Sequence, residues 1–220
     1  MNITGLIVRT ATSVDDLATN CAGWLDDLQA SPAETPLLFT PSAGMQRWLS
    51  QRIAAAGGPE GICAGIKFAP LARLSATLSG DAGDDDPWAP QRLVWRILEV
   101  VAAHTPGLEL LEHHLAATDQ RYANAARISE LFARYARLRP DLLRGWSADD
   151  AAAEVLGVDG WQPVLWRALR TAIPGPDPTQ RQRALLDDLA SGRIGPDVPG
   201  VGVFCPRALT AFDADVLAAL

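Results

Sequence analysis

The chain has 220 residues and a mass of 23.5 kDa, enough for one large domain or two small ones with an ample core. Hydrophobic residues make up 48% and charged residues 20%, as in soluble globular proteins, and no apolar run approaches the roughly 20 residues of a membrane helix. The formal net charge of −7 argues against a simple nucleic-acid-coating domain, which is normally basic. The three cysteines are widely spaced without a metal-ligand pattern, so we expect reduced thiols and a cytoplasmic protein.

The first third of the chain predicts strands that alternate with helices. Leu6 to Val8 is a strand candidate, and Ser13 is typical of the residue that caps a helix. A second strand is predicted over 37–40, a helix over 44–56 and a third strand over 64–68. This βαβαβ order is typical of a parallel sheet, for which we expect four or five strands in all.

Beyond residue 70 the pattern becomes helical. An acidic, flexible loop is predicted over 79–90, and a strand over 201–204 returns to the sheet before a last helix that starts near Thr210. The final helical pattern continues up to Leu220, which predicts that the chain is a fragment of something longer. The helical patterns between the loop and the returning strand cover 91–103, 107–117, 121–138, 161–172 and 180–190.

Residues 37–53 have the strand–turn–helix outline of a phosphate loop but not its chemistry. A working loop needs Gly-Lys-Ser/Thr, because the lysine reaches the β- and γ-phosphates and the hydroxyl holds magnesium. Here Gly44 is followed by Met45 and Gln46, and the only lysine of the chain is Lys67. We therefore expect no bound nucleotide, no metal, no other cofactor and no catalytic residue.

Arginine accounts for 18 of the 19 basic residues. Arginine favours bidentate phosphate contacts and ion pairs. GC-rich codon usage would give the same bias together with the many alanines, so the bias alone does not decide between the two origins.

Several motifs occur in an order that resembles one known family. Gly44, Met45, Trp48 and Leu49 form a GMxxWL pattern. Other matching segments are Leu6 to Arg9, Ile66 to Ala69, Leu131-Phe132 with Tyr135, Arg139-Pro140-Asp141 with Trp146, Trp161 to Leu169, and Val203-Phe204 with Leu209 and 217–220. Together they resemble the N-terminal region of the RecC family, the gamma subunits of the bacterial exodeoxyribonuclease V (RecBCD) helicase-nuclease.

The resemblance implies an α/β fold: a degenerate superfamily 1 helicase-like, P-loop-type parallel sheet domain at 1–70 plus 198–220, with a large helical insertion subdomain at 71–197. It implies a non-catalytic DNA-binding and scaffolding subunit that channels unwound strands and helps to recognise the Chi hotspot in double-strand break repair and recombination. The implied partners are single-stranded DNA and RecB-type and RecD-type motor subunits in a heterotrimer, without a membrane.

The resemblance also implies which residues contact DNA. Helix-start amides suit phosphate, and an arginine adds charge or stacks on a base. The alternatives are that Gly44 only makes the turn, and that Arg139 caps a helix or pairs with Asp141 or Asp149. The residues implied to line one tunnel for the single strand are Ser42, Gly44, Arg47, Glu130, Leu131 and Arg139, with Arg181 or Arg183 as a further contact.

A rival interpretation is a protein-interaction module that docks a motor subunit and never contacts DNA. The acidic net charge and the aromatic-rich helical region favour this rival for the present chain. Binding of single-stranded DNA that weakens steeply with salt would separate the two interpretations, because it reports phosphate contacts.

Overall fold

A computed structural model describes residues 6–28, 35–57, 61–79, 85–116, 120–148, 160–195 and 198–220. The chain divides into two compact units: Met1–Ala82 with Leu185–Leu220 form unit 1, and Gly83–Ala184 form unit 2. The functional division predicted from the sequence, with its boundaries at residues 70 and 198, stays a prediction. No helix of the described residues is both long and apolar enough to cross a membrane.

Unit 1 contains a parallel sheet of three strands within the described residues. They are β1 (Leu37–Thr40), β2 (Lys67–Pro70) and β3 (Val201–Val203), in the order β2-β1-β3. The predicted strands over 37–40 and 201–204 are confirmed. The strand predicted over 64–68 begins three residues later, because Gly65 takes a left-handed conformation (φ 70°) that turns the chain just before it.

The helices carry most of the chain. The expected α/β class is confirmed, and the predicted helices over 121–138 and 161–172 are found with the predicted bounds. The ten α-helices of the described residues are α1 (Val14–Leu28), α2 (Ala43–Ala56), α3 (Leu74–Ser79), α4 (Pro90–Ala102), α5 (Glu109–Ala116), α6 (Arg121–Leu138), α7 (Pro140–Ser147), α8 (Trp161–Ala172), α9 (Pro178–Ala190) and α10 (Ala211–Ala219).

The predicted first strand, Leu6 to Val8, is wrong. These side chains are between 54% and 75% exposed, and the segment forms no strand. A short apolar run is compatible with a strand but does not determine which other strand it would pair with. Within the described residues β2 and β3 are the edge strands, and each pairs with β1 alone. The sheet there is therefore smaller than the four or five strands expected.

Both faces of the unit 1 sheet are covered. On one face Leu38 packs with Ala18 of α1, Leu49 of α2 and Phe204. On the other face Leu37 and Phe39 pack with α3, α10 and the C-terminal part of α9, through the buried residues Leu74, Leu78, Leu185, Leu189 and Val216. The alternation along β1 follows from the two-residue side-chain period of a strand.

Unit 2 is helical and has an aromatic core. The rings of Phe132 and Trp166 stack with centroids 5.9 Å apart. Trp146 and Tyr135 each contact Phe132 edge-on, and they also contact each other edge-on. The indole N–H of Trp166 donates to Ser147 Oγ at 2.9 Å. Trp166 is 1% exposed and therefore belongs to this core.

The N-terminus of α9 is set by a buried carboxylate. Asp177 is 2% exposed and accepts hydrogen bonds at Oδ1 from the amide (2.8 Å) and the hydroxyl (2.7 Å) of Thr179, while Arg170 Nε lies 2.7 Å from its other oxygen. This cap explains why the helix begins at Pro178, two residues before the predicted start.

Two glycines allow α1 to lie close against β3. A Cβ on Gly202 would lie 2.9 Å from ring atoms of Trp24 and 3.0 Å from Leu38 Cδ1, and a Cβ on Gly200 would lie 2.6 Å from Leu28 Cδ1. The absence of side chains here makes room for the indole of Trp24.

We expect Gly202→Ala to lower the free energy of unfolding by about 1–3 kcal/mol, because the added methyl overpacks the contact between Trp24 and the sheet. The matched control is Gly23→Ala in α1, where a Cβ meets nothing within 4 Å and alanine favours the helix by roughly 0.5–1 kcal/mol. Urea unfolding of both variants measures the difference. Equal stabilities of the two variants would contradict the close packing of α1.

Candidate nucleic-acid interface

The connection from β1 to α2 consists of two residues, Pro41 and Ser42. Ser42 caps α2, and its Oγ accepts a hydrogen bond from the Met45 amide at 3.2 Å. A phosphate loop places four residues between its first glycine and the Gly-Lys pair, so that its amides surround the phosphates. The strand–turn–helix outline predicted over 37–53 is found, but its connection is too short for that cradle.

Gly44 lies in the first turn of α2 without a structural need for glycine. Its conformation is not left-handed, and an added Cβ would only reach Ser42 Oγ at an ordinary 3.7 Å. The alternative that this glycine merely makes the turn is therefore wrong. A small residue at this position leaves the start of the helix open to close approach from outside.

The two arginines of α2 have different surroundings. Arg52 forms an ion pair with Asp15 and lies 5.6 Å from the ring of Trp48. Arg47 is exposed, and among the described residues it has no hydrogen-bond or ion-pair partner. Met45, Trp48 and Leu49 belong to the core beside the sheet.

A second arginine follows the same edge of the sheet. Parallel strands end together, and ligands collect at the carboxyl edge where neighbouring strands continue in opposite directions. Here the chain passes from β1 through α2 to β2 on one side of β1, while β3 lies on the other side. Beyond β3 come Cys205, in a left-handed conformation (φ 49°), and Arg207, which is exposed. No sequence motif singled out Arg207 as a contact residue.

In unit 2, α6 presents a basic face. Arg127, Arg134 and Arg137 are exposed, and the structure gives them no ion pair with any described residue. The i,i+4 spacing of Glu130 and Arg134 predicts a helix-supporting ion pair, but both side chains are exposed and the structure gives no ion pair between them. Such a pair contributes only a few tenths of a kcal/mol on a helix surface, so hydration of both charges competes with it. Leu131, beside Glu130, is half-buried.

Arg139 links α6 to α7, and its side chain forms an ion pair. Its amide closes the last turn of α6 on Tyr135 O at 2.8 Å, and its backbone leaves the helical region (φ −138°, ψ 54°) before Pro140. Its guanidinium donates two hydrogen bonds to Asp141, with Nη2–Oδ2 at 2.9 Å, which lowers the pKa of that carboxyl. The salt bridge considered as the alternative is thus present, on the exposed surface.

Arg181 also forms an ion pair. Its Nη2 lies 3.1 Å from Asp86 Oδ2, and its buried Nε has no hydrogen-bond partner. Arg183, the other arginine considered for this role, is exposed. The DNA-binding roles of all seven predicted residues stay predictions, as does the tunnel they are expected to share.

The comparison with known families decides what kind of chain this is. A family model described as RecC, N-terminal domain, matches residues 6–220. The chain belongs to this family. The resemblance inferred from the motifs is thereby confirmed.

Individual relatives agree with that assignment. The RecBCD enzyme subunit RecC of Mycobacterium tuberculosis (strain ATCC 25618 / H37Rv) is 36% identical over 234 residues, which cover 98% of this chain and 21% of that protein. The RecC subunit of Mycolicibacterium smegmatis is 35% identical, with 98% and 20% covered, and that of Escherichia coli K12 is 25% identical, with 66% and 13% covered. The chain thus spans about a fifth of the length of the mycobacterial RecC subunits.

The RecC-type motifs of unit 2 lie mostly in its core. Phe132, Tyr135, Trp146 and Trp166 all come from them and form the aromatic cluster. The match therefore reports chiefly how the domain packs. Candidates for binding have to be found among the exposed residues between the motif positions.

We expect Ser42→Ala to lower the free energy of unfolding by about 1 kcal/mol, because it removes the cap on α2. Gly44→Ala should leave stability unchanged or slightly raised, since neither its conformation nor its surroundings require glycine. Denaturant unfolding of both variants measures this. A loss for Gly44→Ala as large as for Ser42→Ala would restore the view that this glycine shapes the turn.

Proposed function

We propose that this RecC N-terminal region is a non-catalytic, DNA-binding and scaffolding part of a RecBCD-type helicase-nuclease. In that role it guides unwound single strands during double-strand break repair and recombination, in a complex with RecB-type and RecD-type motor subunits. The observation that carries the proposal is the basic face of α6 in an otherwise acidic chain.

The charge contrast is large. Residues 120–148 contain six arginines and only two acidic residues, Glu130 and Asp141, while the whole chain has a net charge of −7. Arg127 and Arg137 are ten residues apart, or about 15 Å along the helix axis, which is long enough to follow a strand over several phosphates. Because these guanidinium groups have no protein partner among the described residues, binding phosphate breaks no existing ion pair.

The absence of a phosphate-binding lysine supports a non-catalytic role. Lys67 lies on β2, and Met45, which follows Gly44 where the motif requires lysine, packs into the core. Help with Chi recognition is a further part of the proposal. Its support is that Glu130 is exposed and Leu131 half-accessible on α6, close in sequence to the unpaired arginines.

The proposal predicts that Arg134→Ala and Arg137→Ala each weaken binding of single-stranded DNA by about 1–3 kcal/mol, since each removes a charge-assisted contact. The slope of log affinity against log salt should fall by about 0.7 for each lost contact. The matched control is Arg193→Ala, which removes an arginine that already pairs with Asp188. Fluorescence anisotropy with a labelled oligonucleotide at several salt concentrations measures all three variants. Equal losses in the control and in the α6 variants would contradict the proposal.

The ion pair between Arg139 and Asp141 predicts that one substitution raises the affinity for DNA. Asp141→Asn weakens the hold on the guanidinium, so DNA affinity should rise and its salt dependence should steepen if Arg139 contacts phosphate. Asp215→Asn, which neutralises an exposed acid on α10, controls for the change in net charge. The gain should vanish when Arg139→Ala is added. An Asp141→Asn variant that binds no better than Asp215→Asn would show that Arg139 does not take part.

A second candidate function is docking of a motor subunit without DNA contact. The acidic net charge favours it, because phosphate repels most of such a surface. In that case the chain would bind a motor subunit while its affinity for single-stranded DNA stayed negligible even at low salt.

A further inference from the structure

Two aromatic side chains of unit 2 lie outside its core and contact each other. Trp95 on α4 is 57% exposed and Tyr122 in the first turn of α6 is 51% exposed. Their ring centroids are 5.4 Å apart at an interplanar angle of 51°. Trp88, Trp146 and Trp166, in contrast, are at most 5% exposed. Contiguous exposed aromatic surface of this kind is typical of binding sites.

The surroundings of this pair are charged rather than aliphatic, with Asp85 and Glu99 beside the arginines. Arg92 and Arg96 flank Trp95 on the outer face of α4, and Arg121 precedes Tyr122. On α4 and the first half of α6, the two rings are the exposed large hydrophobic side chains of the described residues. A protein interface normally has a broader apolar centre, in which charged residues are depleted.

The ion pairs around the rings are exposed and exchangeable. Arg96 Nη1 lies 2.7 Å from Glu99 Oε2, and Arg92 Nη2 lies 2.6 Å from Asp85 Oδ1. About half of each guanidinium side chain is accessible, and exposed pairs of this kind contribute little to stability. A phosphate can therefore replace Glu99 beside Arg96 at little cost.

We propose that Trp95 and Tyr122, with Arg92, Arg96 and Arg121 around them, form a stacking platform for bases of single-stranded DNA. Flat rings that accept any base, combined with arginines for the flanking phosphates, are the chemistry of sequence-tolerant single-strand binding. The platform deepens the proposed function and rests on it, but it involves residues that neither the motifs nor the basic face of α6 include.

The test compares two probes on the 220-residue chain: a labelled (dT)12 oligonucleotide and an abasic strand of the same length. Trp95→Ala and Tyr122→Ala should each weaken (dT)12 binding about fivefold or more, because stacking contributes about 1–3 kcal/mol per base. The salt slope and the affinity for the abasic strand should stay unchanged, because the phosphate contacts remain. Trp95→Phe should retain most of the affinity, and Leu138→Ala, an exposed apolar residue at the far end of α6, should have no effect.

The outcomes separate the platform from the proposed function. Equal binding of the two probes by the unaltered chain, with losses in the α6 arginine variants, overturns the platform alone. So does a Trp95→Ala variant that binds (dT)12 normally, or one that loses a motor subunit while it retains DNA. Failure of the unaltered chain to bind either probe at low salt overturns both. Circular dichroism confirms that each variant is folded.

Discussion

Unit 1 depends on the double burial of β1. Leu37 and Phe39 face one layer of helices and Leu38 faces the other, and none of the three is more than 3% exposed. A central parallel strand has helices on both faces, so it must be apolar on both. Four residues are enough here because each backbone edge is paired, to β2 on one side and to β3 on the other. This strand determines where α2 begins, and with it the positions of Ser42, Gly44 and Arg47.

The same burial explains which parts of the fold could be predicted. The apolar run at 37–40 and the long helical periodicity of α6 each predict one type of element, because the order of apolar residues alone shows which side chains are buried. Leu6 to Val8 has a similar composition, but a strand forms only where an edge accepts it, and edges are a property of the folded sheet. Gly65 displaced β2 through its backbone conformation, which the residue type permits but does not require.

The candidate interface was less predictable than the fold, for a related reason. Motifs draw attention to residues that are unusual for their position, and in unit 2 most of these are core aromatics. Trp95 lies on the polar face of α4 with Arg92, Arg96 and Glu99, away from the buried residues of that helix. No motif includes it, and only the packing of α4 against α6 shows that its ring meets Tyr122. Ion pairing could be predicted only where the partner is near in sequence: Asp141, two residues after Arg139, holds that guanidinium, whereas Arg47 has no ion pair with a described residue.

The short link between β1 and α2 has a consequence for how this surface can change. With two residues between strand and helix, the register of the strand sets the rotation of the helix about its axis. One inserted or deleted residue would turn α2 by about 100° and draw Trp48 and Leu49 away from the sheet. The junction therefore constrains its length more strongly than its side chains: Ser42→Ala removes one cap, whereas a change of length displaces the packed face of α2. At this end of the sheet, variation between related chains is expected in the residues at 42, 44 and 47 rather than in the length of the connection.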